Sequence, residues 1–310
     1  MSAAHGTGTA ARPTTVAVVG EALVDVVHRA DGSVEELPGG SPANVALTLG
    51  RLGRAPHLVT ALADDVRGRR VRAWLEDSGV EVLAAPLRRT STAAAHLDAA
   101  GAATYEFDLD WDLDGVEVPT APVLHVGSIA AMLEPGGTVV LDAVRRAQGL
   151  VTYDPNARPT ITPDREATRA RVEEIVAASD VVKVSDEDLE WLDPDTDALR
   201  TAARWSRTGP ALVVVTAGGD GSFVLRDGAQ VAHVPVPAVD VVDTVGAGDT
   251  YMGGLIDGLL ALGLDSAERI ASAPADRLEA ACAHAARAAA VTVSRPGADP
   301  PRRDELGLPS

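Results

Sequence analysis

The segment Asp243-Thr244-Val245-Gly246-Ala247-Gly248-Asp249-Thr250 runs on into Tyr251-Met252-Gly253-Gly254-Leu255. Three small residues, Gly246 to Gly248, lie between two carboxylates. Behind them Thr250 to Leu262 is apolar and helix-compatible. A Gly-Ala-Gly turn that opens a helix leaves backbone N–H groups unpaired and pointing outward. With the positive end of the helix dipole they form an anion site. The missing side chains let an anion approach the backbone closely. Asp249 then stands beside a site built for negative charge, either as a helix cap or as a group that orients a hydroxyl towards the anion. The second arrangement suits phosphoryl transfer, where positioning and charge stabilisation supply most of the catalysis.

Upstream, short apolar runs alternate with helical patterns. Val16 to Gly20, His57 to Leu62, Val123 to Ile129, Leu150 to Asp154, Val181 to Ser185 and Leu212 to Thr216 read as buried strands. Glycine or polar turns follow most of them. Leu37 to Ala46 holds a Gly-Gly turn, Ser41 as a cap and Pro42 at the first turn of a helix that reaches about Leu52. Caps do not explain Asn44, an amide one turn into a helix of Val, Ala and Leu. Further helices are expected over about Gly68–Gly79, Val140–Gly149 and Leu278–Val293. Thr90–Asp98 and Ala103–Leu109 read as a hairpin with Ala99–Ala102 as its turn. The pattern gives an α/β fold: a mostly parallel central sheet flanked by helices, with ligands at the C-terminal strand ends.

Composition narrows the function. The 310 residues carry a formal charge of −18, which argues against nucleic acid or an anionic membrane as the main partner. Lys183 is the sole lysine, and no Gly-x-x-x-x-Gly-Lys-Ser/Thr loop occurs. The single Cys282, in an Ala-rich run, excludes an internal disulfide and reads as a small buried residue. Residues 1–14 lack a basic stretch followed by an apolar one, and no apolar run reaches membrane-spanning length; a soluble cytoplasmic protein is expected. Gly6-Thr7-Gly8 precedes the first strand rather than following it, which disfavours a dinucleotide oxidoreductase.

The stretch Asp243–Asp249 resembles the C-terminal signature of the PfkB (ribokinase-like) carbohydrate kinases, Asp-Thr-x-Gly-Ala-Gly-Asp, at every position. Gly39 to Gly53 resembles the N-terminal signature, and the likeness extends from Val16 to Ala298. It implies a single domain over 1–310, with a small β-strand lid over the sugar drawn from about 22–38 and 88–112. It implies a sugar contacted by Asp25, Gly39, Gly40 and Asn44. Asp249 would be the base, with Gly246, Ala247 and Gly248 as the anion-binding turn. Lys183, Ser185, Thr216, Gly218, Gly221 and Gly248 would face ATP. His284 would face the adenine, where Asn is usual. Asp188 would meet Mg²⁺ through water, and Asp243 and Val245 would lie near a K⁺ site. Arg158 would lie beside the phosphates, though a surface ion pair explains it nearly as well. Tyr105, Phe107 and Trp111 would line the lid or pack its back.

The resulting expectation is an ATP-dependent sugar kinase, with Asp249 as a base of ordinary carboxyl basicity. Gly-Glu-Ala-Leu-Val-Asp, Gly-Gly-Ser-Pro-Ala-Asn, His-Val-Gly-Ser and Lys-Val-Ser-Asp-Glu-Asp are most similar to the fructokinase branch. Ribokinase, 2-keto-3-deoxygluconate kinase and nucleoside kinase are the other branches. A catalytically silent sugar- or nucleotide-binding protein is the alternative of another class. Exposed lid edges point to a homodimer.

Overall fold

The computed structural model describes residues 14–97 and 103–307. Its main sheet has nine strands: β1 (Thr15–Val19), β4 (Ala55–Leu62), β5 (Glu81–Pro86), β8 (Val123–Gly127), β9 (Leu150–Asp154), β10 (Val181–Ser185), β11 (Leu212–Thr216), β12 (Ser222–Arg226) and β13 (Ala229–Val234). Their spatial order is β13-β12-β11-β10-β9-β8-β1-β4-β5. All neighbours pair in parallel except β11–β12 and β12–β13. A second sheet holds β2 (Leu23–His28), β3 (Val34–Gly39), β6 (Thr92–Leu97) and β7 (Ala103–Asp108), in the order β3-β2-β6-β7. The hairpin expected from residues 90–109 is therefore β6–β7, and it belongs to this small sheet. Its expected turn, Ala99–Ala102, lies outside the described residues.

The helices are α1 (Ser41–Arg51), α2 (Val66–Glu76), α3 (Gly136–Arg146), α4 (Arg165–Ala177), α5 (Asp186–Leu192), α6 (Ala198–Trp205), α7 (Ala247–Ala261), α8 (Ala267–Ser272) and α9 (Ala275–Val293). Among the described residues, no helix is long and apolar enough to cross a membrane. Strand alternation builds two cores. Val16 and Val18 of β1 pack with α1, α2, α7 and α9, while Ala17 and Val19 pack with α3 to α6 on the other face. Cys282 sits buried in the first core, as expected, and burial pushes its thiol up to about 12.

The same alternation puts polar groups where α7 covers the sheet. In β9, Val151 and Tyr153 enter the second core, and in β10 Val182 and Val184 do so. Thr152, Asp154 and Lys183 therefore face α7, and His125 of β8 lies opposite Thr152 in register. These four make a buried polar row beneath the start of α7. His125 is held neutral, its pKa pushed down to about 3 by burial and by the nearby Lys183 charge. With Nδ1 3.0 Å from Thr152 Oγ1, it is a packed residue rather than a catalyst.

Two local expectations are corrected. Helix α3 starts at Gly136 rather than near Val140, because Gly136 and Gly137 hide a helix start that glycine does not advertise. The reason is packing: a Cβ on Gly136 would lie 2.3 Å from Trp111 Nε1. Ser41 is not the cap of α1. Gly40 holds that position at φ 105°, and Ser41 is the first helical residue with its hydroxyl turned elsewhere.

Candidate active site

Helix α7 begins on Gly246, which caps it at φ 73°, a left-handed conformation that glycine adopts without strain. A Cβ there would also lie 2.6 Å from the Ala298 Cβ. Asp249 falls in the first turn and is buried. Two residues of α1 hold it. Ser41 Oγ donates to Asp249 Oδ1 at 2.7 Å, and Asn44 Nδ2 donates to Oδ2 at 2.8 Å. Asn156 Nδ2 approaches Oδ1 at 3.5 Å from a left-handed backbone, φ 39°. Asp249 is thus fixed at both oxygens, and the expected polar role of Asn44 becomes concrete.

Its basicity differs from the ordinary carboxyl expected. Burial raises the pKa of Asp249, the Asn44 and Ser41 hydrogen bonds pull it back, and Asp154 and Lys183 act in opposite senses. The net direction is upward, which makes it the better proton acceptor. Beneath it, Lys183 Nζ donates to Asp154 Oδ2 at 2.9 Å, with side chains 5% and 1% exposed. A Cβ on Gly248 would lie 3.0 Å from that Nζ, close enough that the ammonium would have to give way slightly. Burial opposes the charge on Lys183, but Asp154, Asp188 and Asp249 outweigh it and its pKa is raised.

A cavity of about 1140 Å³ opens over Asp249. The small sheet supplies one wall, with Leu23, Asp25, Leu37, Ala93, Tyr105 and Phe107. Gly39, Gly40, Asn44, Arg158 and the Gly246–Gly248 turn supply others. Burial, and then the negative charge of Asp249, lift Asp25 to about 6. Gly39 ends β3 directly over it: a Cβ at Gly39 would sit 2.1 Å from Asp25 Oδ2. Trp111 belongs elsewhere, buried with Nε1 on the Ala130 carbonyl at 2.9 Å.

Other expected positions take structural partners. Ala247 N donates to Thr244 O at 3.2 Å, so this amide is occupied inside the turn rather than free for an anion. Ser185 caps α5 by accepting from Asp188 N. Asp188 accepts from Ala157 N at 3.0 Å, and burial raises its pKa. Asp243 clips two loops together, with Oδ1 on Val245 N and Oδ2 on Gly297 N. His284 is buried with Nε2 2.9 Å from Asp257 Oδ2, and Arg54 completes the group at 2.6 Å from Oδ1. Thr216, Gly218 and Gly221 mark the end of β11 and the turn after it. Nothing lies within 4 Å of a Cβ placed on Gly218, so that turn is open to an approaching ligand. None of Thr216, Gly218, Gly221 or His284 lines the large cavity. Arg158 donates to Asn156 Oδ1 at 2.7 Å at the cavity mouth.

Sequence reasoning gave Ser41 no role in holding Asp249, and placed Asp154 and Asn156 only within the Asp154–Arg158 turn that resemblance puts beside the phosphates. A cap reading sufficed for Ser41. Asp154 carried a signal, since Thr152 and Asp154 alternate with apolar Val151 and Tyr153 in a strand buried on both faces.

The family model for pfkB family carbohydrate kinases matches residues 13–305. The chain belongs to the pfkB carbohydrate kinase family. Within that group it is 36% identical over 261 residues to a fructokinase of Klebsiella pneumoniae, covering 80% of this chain and 85% of that protein. A fructokinase of Xylella fastidiosa with bound ATP superposes with a TM-score of 0.83 at 26% identity, over 94% of this chain and 96% of that one. A fructokinase of Vibrio cholerae with fructose, ADP and calcium ion bound gives a TM-score of 0.78 at 27% identity, over 95% and 98%. Membership makes the chain a phosphotransferase acting on a sugar hydroxyl.

Proposed function

We propose that the protein is a fructokinase that moves the γ-phosphoryl group of ATP to a hydroxyl of fructose. One observation carries the reading: Asp249, buried and fixed by Ser41 and Asn44, stands where the α7 N-terminus meets the large cavity that also holds Asp25. The identity to fructokinases supports the choice of sugar. Asp249 takes the hydroxyl proton as the sugar oxygen bonds to phosphorus, while the bond from phosphorus to the β-phosphate oxygen breaks and ADP departs. A loose transition state lets the proton leave late. The α7 dipole and the Gly248 amide stabilise the moving charge.

Asp25, Gly39, Gly40 and Asn44 are assigned to the sugar. Lys183, Ser185, Thr216, Gly218, Gly221 and Gly248 are assigned to the nucleotide side. His284, engaged with Asp257, acts there only by packing under the base. Among the described residues no cluster of three or more His, Cys, Asp or Glu suits a metal ion. That fits a Mg²⁺ carried in on ATP, with Asp188 reaching it through water, since Mg²⁺ keeps much of its water. The ion would neutralise phosphate charge. The small sheet is assigned as the lid that excludes water from the transfer. Its β3 and β7 edges, unpaired among the described residues, are the natural contact for a homodimer in the cytoplasm.

The test is coupled ADP release with Mg-ATP against fructose, ribose, 2-keto-3-deoxygluconate, adenosine and no sugar. Turnover concentrated on fructose is expected. Turnover on another acceptor keeps the mechanism and replaces the substrate. Tight nucleotide binding without turnover on any acceptor makes the protein a silent binder. Gly39→Ala probes the Asp25 assignment. Its methyl group must push the Asp25 carboxylate aside. The sugar KM is expected to rise about tenfold or more, the value of one hydrogen bond to a charged group. An unchanged KM in steady-state assays removes Asp25 from the sugar site.

A further inference from the structure

Glu21 lies in the three-residue link between β1 and β2 and is 7% exposed. Its two oxygens bind backbone amides from different parts of the chain. Oε1 accepts from Ser41 N at 3.3 Å, and Oε2 accepts from Ala130 N at 3.2 Å. The Ser128 hydroxyl favours the charged form of the same carboxylate. Ser128 itself sits at φ 58°, ψ −155°, a region that residues with side chains seldom occupy unless their surroundings hold them there.

Helix α1 has no side-chain cap of its own, because Gly40 fills the capping position. Glu21 supplies the missing acceptor from twenty residues upstream, and a carboxylate there also suits the positive end of the helix. The first turn it holds is the turn that carries Ser41 and Asn44, the two donors on Asp249. Gly40 is pressed against the Glu21 backbone, where a Cβ would meet the Glu21 carbonyl oxygen at 2.5 Å. No slack separates the two segments.

We propose that Glu21 is a positioning residue for phosphoryl transfer: by capping α1 from outside and tying it to the Ser128–Ala130 segment, it sets the orientation of Asp249 through Ser41 and Asn44. The proposal rests on the kinase reading above. Glu21 needs its charge to accept from both amides at once. Burial lifts its pKa to about 7, with Ser128, Ala130 and the Arg158 charge pulling the other way. Arg158 is the cation acting on it, and Asp25 and Asp249 line the same cavity. Protonation near neutral pH puts a hydrogen on one oxygen and opens one of the two amide bonds.

The experiment compares wild type, Glu21→Gln and Ser128→Gly by kcat, sugar KM and the pH profile of kcat. Gln offers one acceptor oxygen, and its NH₂ would face a backbone N–H. Glu21→Gln is expected to lose roughly ten- to a hundredfold in kcat, the scale of a small misplacement of a catalytic group, with sugar KM within about threefold. Wild-type kcat is expected to fall as pH drops through about 7. Glu21→Gln keeps only the acid limb that belongs to Asp249. Ser128→Gly relaxes its backbone and so folds, yet it removes the hydroxyl that favours the charged carboxylate; its acid limb moves to higher pH. It decides the matter if Glu21→Gln does not fold. Wild-type kcat and pH profile in Glu21→Gln, or an unmoved limb in Ser128→Gly, overturn the proposal. If wild type turns over no acceptor at all, the kinase reading fails separately. A crystal structure of Glu21→Gln then tests the positioning claim, which an unmoved α1 first turn and Asp249 carboxylate overturns.

Discussion

Asp249→Asn is expected to lower kcat by roughly two to four orders of magnitude, the usual contribution of a general base. The fold should survive almost untouched. Ser41 Oγ can still donate to the retained amide oxygen. The new NH₂ meets Asn44, whose own Oδ1 is buried without a partner among the described residues. A flip of the Asn44 amide turns that oxygen towards the new donor and restores the pair. Sugar KM should therefore change little, so kcat and kcat/KM fall together, as when an interaction made only in the transition state is lost. The check is steady-state kinetics with saturating Mg-ATP beside a thermal melt. Wild-type turnover in a folded Asp249→Asn protein removes the base assignment.

Asp154→Ala is expected to be the most destabilising single change to the buried row. It leaves the Lys183 ammonium, 5% exposed, without its partner. Stripping one member from a buried pair costs about 3–5 kcal/mol, because the remaining charge stays out of water. Burial alone would push the Lys183 pKa down, so part of the penalty is relieved when the lysine gives up its proton. Adding Lys183→Met should recover much of the loss, since neither charge then remains, and the two changes will be far from additive. Denaturant unfolding of both singles and the double measures this. A loss below about 1 kcal/mol in Asp154→Ala would show that water reaches the pair.

Much of the fold was legible because strand and helix periods differ. Short Val-rich runs ending in glycine or polar turns marked six strands of the main sheet, and the order of alternation gave its parallel character. Of the small sheet only the β6–β7 hairpin was legible from alternation, and the rest came by likeness to a family. Its central pair, β2 with β6, is parallel and joins residues such as Asp25 and Ala93 across a long stretch of chain. No local pattern encodes that pairing. In the site, Asp249 and Asn44 stood out as polar residues on apolar helices. Ser41 and Glu21 did not, because each has an adequate local reading. A serine near a helix start looks like a cap, and a glutamate after a strand looks solvated. Their roles arise from contacts 208 and 20 residues away in sequence. The His284–Asp257–Arg54 group was hidden for the same reason. Its members lie on α7, on α9 and in the turn before β4, and the sequence reading turned His284 towards the adenine instead.

Gly20–Ala22 joins β1 of the large sheet to β2 of the small one, and Gly39–Gly40 leads back from β3 into α1. The two links touch, with Gly40 against the backbone of Glu21 and Ala22. The β2–β3 hairpin and helix α1 therefore share one junction, with Glu21 at its centre. What strains that junction reaches two places at once: Asp25, four residues on in β2, and the first turn of α1, whose Ser41 and Asn44 hold Asp249.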